Sequence, residues 1–273
     1  QLYRLEPMTD NDFTQRMAIF TLVATMTTGL TMGAAPAQRP LDLTPQSLEA
    51  REYSACMHLA RTNPKAGQDT ALAWRKRGGG DPAIHCVAVS LLGLGQYSQS
   101  ARMMEELAAA SSEKRPDLRA GLLAQAANGW IIAGRPQTAA TLLEKALVLL
   151  PDNIEMMIDR SIALAALGRY WDALDDLNRV LELAPGRIDA LTFRASAWRR
   201  VEAYDLARQD IDAVLAAQPQ TPDALLERGL IRKAQGDREG ARADWLKVIE
   251  IAVKGPLTDA ARRNIETMDV QKP

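Results

Sequence analysis

The chain has few of the side chains that commonly carry catalysis or bind metals. Its 273 residues include two cysteines and two histidines, and only 5% of them are aromatic. The signatures of phosphate-binding loops, zinc proteases and serine hydrolases do not occur in the sequence. We therefore expect a protein that is not an enzyme and that needs no cofactor.

The chain also lacks an excess of charge of either sign. Its 33 basic and 34 acidic residues give a formal net charge of -1. Nucleic-acid binding relies on a cationic surface that neutralises phosphates, so we expect no nucleic-acid partner. Hydrophobic residues at 47% and charged residues at 25% are typical of a soluble globular protein.

An uncharged segment near the beginning is typical of a secretory signal. Residues 17–37 contain no charged side chain and end in Ala35-Pro36-Ala37, an A-x-A arrangement. The apolar part is short and gives way to threonine and glycine, which favours a cleaved signal peptide over residues 8–37. Cleavage would make Gln38 the first residue of a periplasmic chain that does not insert into a membrane. The alternative is an uncleaved segment that anchors the chain in the inner membrane, and residues 1–7 lie upstream in either case.

A period of 34 residues runs through the second half of the chain. Alanine, proline and glycine keep this step independently. The apolar residues between these marks follow helical spacing, while glycine suits the end of a first helix and proline follows a second one. Each unit is therefore expected to be a pair of helices. The residues in register are Ala139, Ala173, Ala207 and Ala241, Pro151, Pro185 and Pro219, and Gly134, Gly168 and Gly236, with Glu202 where a further glycine would stand.

This pattern resembles the tetratricopeptide repeat, over residues 81–253. The resemblance implies an all-α fold, a right-handed α-solenoid of about five helical hairpins. Residues 38–80 are expected to form a degenerate helix pair before it, and residues 254–273 a capping helix and tail. Two positions of each unit carry small residues, which lets the helices of a hairpin approach closely. They are Ala88 and Ser100, Ala127 and Ala139, Ser161 and Ala173, Ala195 and Ala207, and Gly229 and Ala241.

Three units carry an arginine in the first helix and an aspartate in the second. The two earlier units have uncharged residues at both positions, so that the two charges occur together or not at all. This pattern indicates structural ion pairs rather than a repeated catalytic or ligand-binding site. The expected pairs are Arg160 with Asp176, Arg194 with Asp210, and Arg228 with Asp244.

The main candidate for a disulfide or a metal site consists of four side chains: Cys56, His58, His85 and Cys86. In an oxidising compartment two cysteines favour a disulfide, here between Cys56 and Cys86. A zinc site is the alternative, although adjacent residues on a helix point about 100 degrees apart and fit poorly around one ion. Two unpaired buried thiols would be expected in a cytoplasmic chain. We expect no bound metal.

The resemblance also implies where a partner would bind. In the family, the first helices of successive units line a concave groove through positions that share one helix face. Here this face is apolar in the middle and basic toward its later end, which suits a protein segment with apolar side chains and an acidic group. Packing against the next unit is the alternative explanation. The residues are Val89, Asn128, Ile131, Ile158, Ile162, Thr192, Ser196, Arg199, Arg200, Leu230 and Lys233.

The function implied by the resemblance is that of a non-catalytic protein–protein interaction scaffold or adaptor of the bacterial envelope. Its partner would be a protein or peptide that the sequence does not identify. The alternative function is a metal-binding or redox protein that uses the cluster of Cys56, His58, His85 and Cys86.

Overall fold

A computed structural model of the chain describes residues 45–111, 115–252 and 254–270. These residues form thirteen α-helices and no strand, which confirms the all-α prediction. The predicted signal peptide lies outside the described residues, and none of the helices within them is long and apolar enough to span a membrane. The helices are α1 (Pro45–Thr62), α2 (Pro64–Lys76), α3 (Gly80–Gly93), α4 (Tyr97–Ala110), α5 (Pro116–Ile132), α6 (Pro136–Leu149), α7 (Ile154–Ala166), α8 (Tyr170–Leu183), α9 (Ile188–Arg200), α10 (Tyr204–Ala217), α11 (Pro222–Ala234), α12 (Arg238–Ile251) and α13 (Pro256–Val270).

The helices divide into two compact units. The first unit contains α1 to α6 and the second contains α7 to α13. In the first unit each helix packs against the next, and α1 also packs against α3. In the second unit consecutive helices again pack together, and α9 also contacts α7 and α11. Within each unit the chain therefore forms helical hairpins that stack on their neighbours.

Asparagine and aspartate side chains define the start of several helices. The Asn63 side chain accepts a hydrogen bond from the backbone N–H of Ala66, which fixes the start of α2. The Asn153 side chain does the same for α7, at 3.0 Å from the N–H of Met156. Each cap satisfies an amide that the helix leaves without an internal partner, and this stabilises the end by about 1 kcal/mol.

The turn inside five of the hairpins contains a residue in the left-handed backbone conformation. Gly168 has a φ of 75°, and the following N–H of Arg169 donates to the carbonyl of Leu164 at 2.9 Å. Glu202 occupies the equivalent turn between α9 and α10 with a φ of 62°. A residue with a side chain is strained in this conformation, whereas glycine adopts it freely.

The two helices of the hairpin α11–α12 approach closely at Gly229. The indole of Trp245 is fully buried there, and its Nε1 donates a hydrogen bond to the carbonyl of Leu226 at 3.2 Å. A methyl group on Gly229 would lie 2.3 Å from that nitrogen. Glycine is therefore needed at this position because the tryptophan leaves no room for a side chain.

Replacing Glu202 by glycine should stabilise the protein. Relief of the positive φ should raise the free energy of unfolding by about 1 kcal/mol, because the exposed side chain contributes little to packing. Chemical denaturation followed by far-UV circular dichroism measures this change. A less stable Glu202→Gly variant would show that the carboxylate makes a stabilising contact that outweighs the strain.

The substitution Gly229→Ala should destabilise the protein. Alanine favours a helix over glycine by about 1 kcal/mol, but the clash with Trp245 should lower the free energy of unfolding by about 2 kcal/mol overall. Gly121→Ala is the matched control, because a methyl group on helical Gly121 would meet nothing within 4 Å. The control should be as stable as the parent or more so. Equal denaturation midpoints for the two variants would contradict the close approach at Gly229.

Candidate functional site

Five of the residues predicted to line a groove are buried. Ile131, Ile158 and Ile162 are only 4%, 4% and 5% exposed, and Thr192 and Ser196 are 6% and 8% exposed. In the second unit, α7 contacts α9 and α9 contacts α11, so side chains on the first helices also serve the stacking of hairpins. The apolar middle of the predicted face is therefore packed rather than accessible, in agreement with the alternative explanation.

The other six predicted groove residues keep accessible surface. In the first unit they are half-buried and lie on α3 and α5. In the second unit they cluster in the last two turns of α9 and α11, where three of the four are basic. These residues are Val89 and Asn128 in the first unit, and Arg199, Arg200, Leu230 and Lys233 in the second.

The two arginines at the end of α9 are held by the protein itself. The Nε of Arg199 donates to the carboxylate of Glu227 at 2.5 Å, and Glu227 is only 6% exposed. The guanidinium of Arg200 lies 4.9 Å from the centre of the Tyr170 ring, and its Nε donates to the tyrosine hydroxyl at 2.8 Å. Both arginines therefore have fixed positions, and the charge of Arg199 is largely neutralised.

Lys233 differs from the arginines around it. Its side chain is half-buried and forms no salt bridge with any residue in the described part of the chain. Burial lowers the pKa of Lys233, and the nearby charge of Arg238 lowers it further. A partly desolvated ammonium group without a carboxylate partner attracts an anion.

The three arginine–aspartate pairs predicted from the sequence are present. Arg160 donates to the carboxylate of Asp176 at 2.8 and 2.5 Å. Arg194 reaches Asp210 at 2.8 and 2.7 Å, and Arg228 reaches Asp244 at 3.0 and 2.7 Å. Each pair joins the first helix of a hairpin to the second, and all three aspartates are buried.

The structure adds contacts that the sequence analysis missed. Arg194 also donates to the side-chain oxygen of Asn178 in the preceding hairpin, at 3.0 Å. The hydrogen bond to Asp244 is the main cause of the raised pKa of Arg228, and the charge of Asp212, 34 residues after Asn178, adds to it. The spacing of 34 residues between Asn178 and Asp212 could have been found in the sequence. The buried pair of Arg199 and Glu227 does not recur at the spacing of 34 residues, so the sequence pattern did not indicate it.

The predicted cysteine and histidine cluster does not form one site. Cys56 and Cys86 are joined by a buried disulfide that links α1 to α3, with their Cα atoms 6.2 Å apart. His58 is exposed on α1. Across the described ranges, no group of three or more histidine, cysteine or acidic side chains is arranged to hold a metal ion.

The ring nitrogens of His85 are both engaged by neighbouring side chains. The hydroxyl of Tyr53 lies 2.7 Å from Nδ1, and the amide oxygen of Gln125 lies 2.9 Å from Nε2. An amide oxygen only accepts, so Nε2 carries the proton and Nδ1 accepts from Tyr53. Burial lowers the pKa of His85; the Gln125 hydrogen bond opposes this shift and the charge of Arg61 adds to it.

The buried ion pairs should matter far more than exposed ones. Arg194→Met leaves the carboxylate of Asp210 buried without its cation, which should lower the free energy of unfolding by about 3 kcal/mol. Arg179→Met is the matched control, because Arg179 pairs with Asp152 and Glu182 on the exposed surface. Its denaturation midpoint should stay close to that of the parent. Similar midpoints for the two variants would contradict a structural role for the pair.

Protonation of His85 should destabilise the fold. Because the pKa is lower in the folded chain than its usual value of 6.5, the unfolded chain binds the proton first as the pH falls. The stability that neutral His85 contributes is fully present above pH 6.5 and is lost as the pH falls through the lower pKa of the folded chain. His85→Gln should therefore flatten the decline in unfolding free energy between about pH 7.5 and 5.5, whereas the same change at exposed His58 should preserve it. Equal slopes for the two variants would contradict the burial of the His85 ring, which is the main cause of its lowered pKa.

The repeated hairpins and the ion pairs that join their helices define the class of helical-hairpin repeat proteins. The sequence profile of the tetratricopeptide repeat matches residues 133–188 and 194–255. These two ranges therefore contain tetratricopeptide repeats.

Solved structures of MamA share this fold. The structure of MamA 41-end from Desulfovibrio magneticus RS-1 is 20% identical, with a TM-score of 0.53, over 62% of this chain and 92% of that chain. A second crystal structure of MamA is 19% identical, with a TM-score of 0.51, over 60% of this chain and 93% of that one. A comparison with curated protein sequences gives no match. At these identities the likeness concerns the fold alone.

Proposed function

We propose that this protein is a non-catalytic scaffold that binds a segment of another protein. Stacked helical hairpins present extended surfaces that suit this role, since successive units offer equivalent positions along one face. The proposed site is the surface formed by the ends of α9 and α11, hereafter the basic surface, and it consists of Arg199, Arg200, Leu230 and Lys233.

The observation that carries the proposal is the unpaired charge of Lys233. The other cations on α11 are neutralised, because Arg228 and Arg232 both bond to Asp244. Arg199 has Glu227 as its partner. Burying a charge without a partner is unfavourable, and this desolvation is the main cause of the lowered pKa of Lys233. An anionic ligand would offset the unfavourable burial of the charge.

The neighbouring side chains define the ligand further. Leu230 lies one helical turn before Lys233 and is only half-buried, so an apolar side chain of the ligand can pack there. A carboxylate one or two residues away in the ligand would then reach the ammonium group of Lys233. We propose that the ligand is an acidic protein segment with at least one large apolar side chain. Both an extended and a helical segment can present these side chains.

Selection from a random peptide display library tests this proposal on the whole protein. Peptides selected on the parent should combine Asp or Glu with an apolar residue, and Lys233→Gln should weaken their binding about tenfold, the effect of losing one charge-assisted hydrogen bond. Lys247→Gln is the matched control, because Lys247 is exposed and pairs with Glu250 at 2.9 Å. Selected peptides without acidic residues, or equal binding to both variants, would refute the basic surface as the site.

We further propose that the scaffold acts in the bacterial envelope after export. The support is the uncharged segment of residues 17–37 with its A-x-A ending, together with a disulfide of the kind that persists in oxidising compartments. N-terminal sequencing of the protein recovered from its native cells should give Gln38. Ala37→Trp should block this cleavage, because the position before the cut requires a small residue. An intact N-terminus on protein recovered from the cytoplasm would contradict export.

A further inference from the structure

Trp171 is the most conspicuous exposed side chain of the second unit. It lies in the first turn of α8, and 65% of its surface is exposed. The equivalent positions of the other repeats, at steps of 34 residues, carry Gln137, Asp205 and Glu239. A polar residue is therefore sufficient for the fold at this position, and packing of the repeat does not explain a tryptophan there.

The indole of Trp171 is held in place although it is exposed. Its ring meets the ring of Trp198 edge to face, with the ring centres 6.0 Å apart and the planes at 83°. Trp198 in turn packs against the hydrophobic core of the second unit. An aromatic ring fixed in this way loses little freedom when a ligand binds to its open face.

The surface beside Trp171 is acidic. The first two turns of α8 contain three aspartates and no basic residue. Asp172 is neutralised by Arg169 at 2.7 Å, and Asp176 belongs to the buried pair with Arg160. Asp175 lies one helical turn after Trp171 and is exposed, and it forms no salt bridge with any other residue that the structure describes. Residues four apart on a helix share a face, so this carboxylate lies next to the indole.

We propose that Trp171 and Asp175 form a second binding site, which takes a lysine or arginine side chain of a partner protein. The cation lies over the open face of the indole and donates a hydrogen bond to the carboxylate of Asp175. This site goes beyond the function proposed above, since it lies on a second helix of a hairpin and selects the opposite charge. A scaffold with both sites can hold an acidic segment and a basic segment at once.

The combination of the two side chains favours a cation over other ligands of aromatic surfaces. A proline-rich segment also packs on tryptophan rings, but it has no group that would use the adjacent carboxylate. An acidic segment would be repelled by the carboxylate of Asp175. Only a basic side chain gains from both the ring and the charge.

Selection of display peptides on the full-length protein, and on its Trp171→Gln variant, tests the proposal. Glutamine already occupies the equivalent position 137, so the variant is expected to fold. Peptides that bind the parent and lose binding to the variant should be rich in lysine and arginine. Their affinity should fall about fivefold in Asp175→Asn, the effect of one exposed cation contact. It should remain unchanged in Asp69→Asn, a control at an exposed aspartate of the first unit.

Direct contact is measured by NMR on a selected lysine peptide. The lysine side-chain protons next to the ammonium group should shift upfield on binding to the parent, because they lie over the indole ring, and this shift should vanish with Trp171→Gln. Lys233→Gln should leave the shift unchanged, which separates this site from the basic surface. Trp171-dependent peptides that are rich in proline or acidic residues would overturn the proposal, and so would the absence of any such peptide. Equal affinity for the parent and Asp175→Asn would overturn it as well, even if Trp171→Gln failed to fold.

Discussion

The second unit depends on a buried carboxylate in each of its first three hairpins. Asp176, Asp210 and Asp244 are 6%, 5% and 4% exposed, and a buried charge without a partner would cost several kcal/mol. The planar guanidinium group of an arginine donates hydrogen bonds to both carboxylate oxygens at once, which fixes the first helix of each hairpin against the second. Arg194 then uses its remaining nitrogen to bond Asn178 in the hairpin before. Arg194 therefore joins the two helices of its own hairpin and also contacts the hairpin before it.

This arrangement explains why the two proposed sites stand out chemically. Most charges of the second unit are committed to structural pairs, and Lys233 and Asp175 are exceptions of opposite sign. Each lies beside an apolar side chain, Leu230 in one case and Trp171 in the other. A partner that supplies the missing charge and covers the apolar neighbour gains from both contacts. Because rigid hairpins hold these side chains, little ordering is required when the partner binds.

The sequence predicted the fold well because a repeat multiplies each local signal. The step of 34 residues identified the hairpins, and the joint presence of arginine and aspartate identified their contacts. Burial could not be predicted in the same way: Ile158 and Ile162 occupy positions of a groove, yet they are packed, since burial depends on how neighbouring helices stack. The pair of Arg199 and Glu227 breaks the repeat. Trp171 was overlooked because its exposure becomes visible only when its neighbours are placed.

Amide hydrogen exchange of the unmodified protein tests the central claim most directly. The claim is that partly buried arginines couple neighbouring hairpins, through the hydrogen bond from Arg194 to Asn178 and through the ion pair of Arg199 with Glu227. The slowest-exchanging amides of α8, α9, α10 and α11 should then share one free energy of opening, because breaking one contact exposes the charges of the next. Separate opening free energies for the hairpins α7–α8, α9–α10 and α11–α12 would contradict this account and would show that the pairs stabilise each hairpin alone.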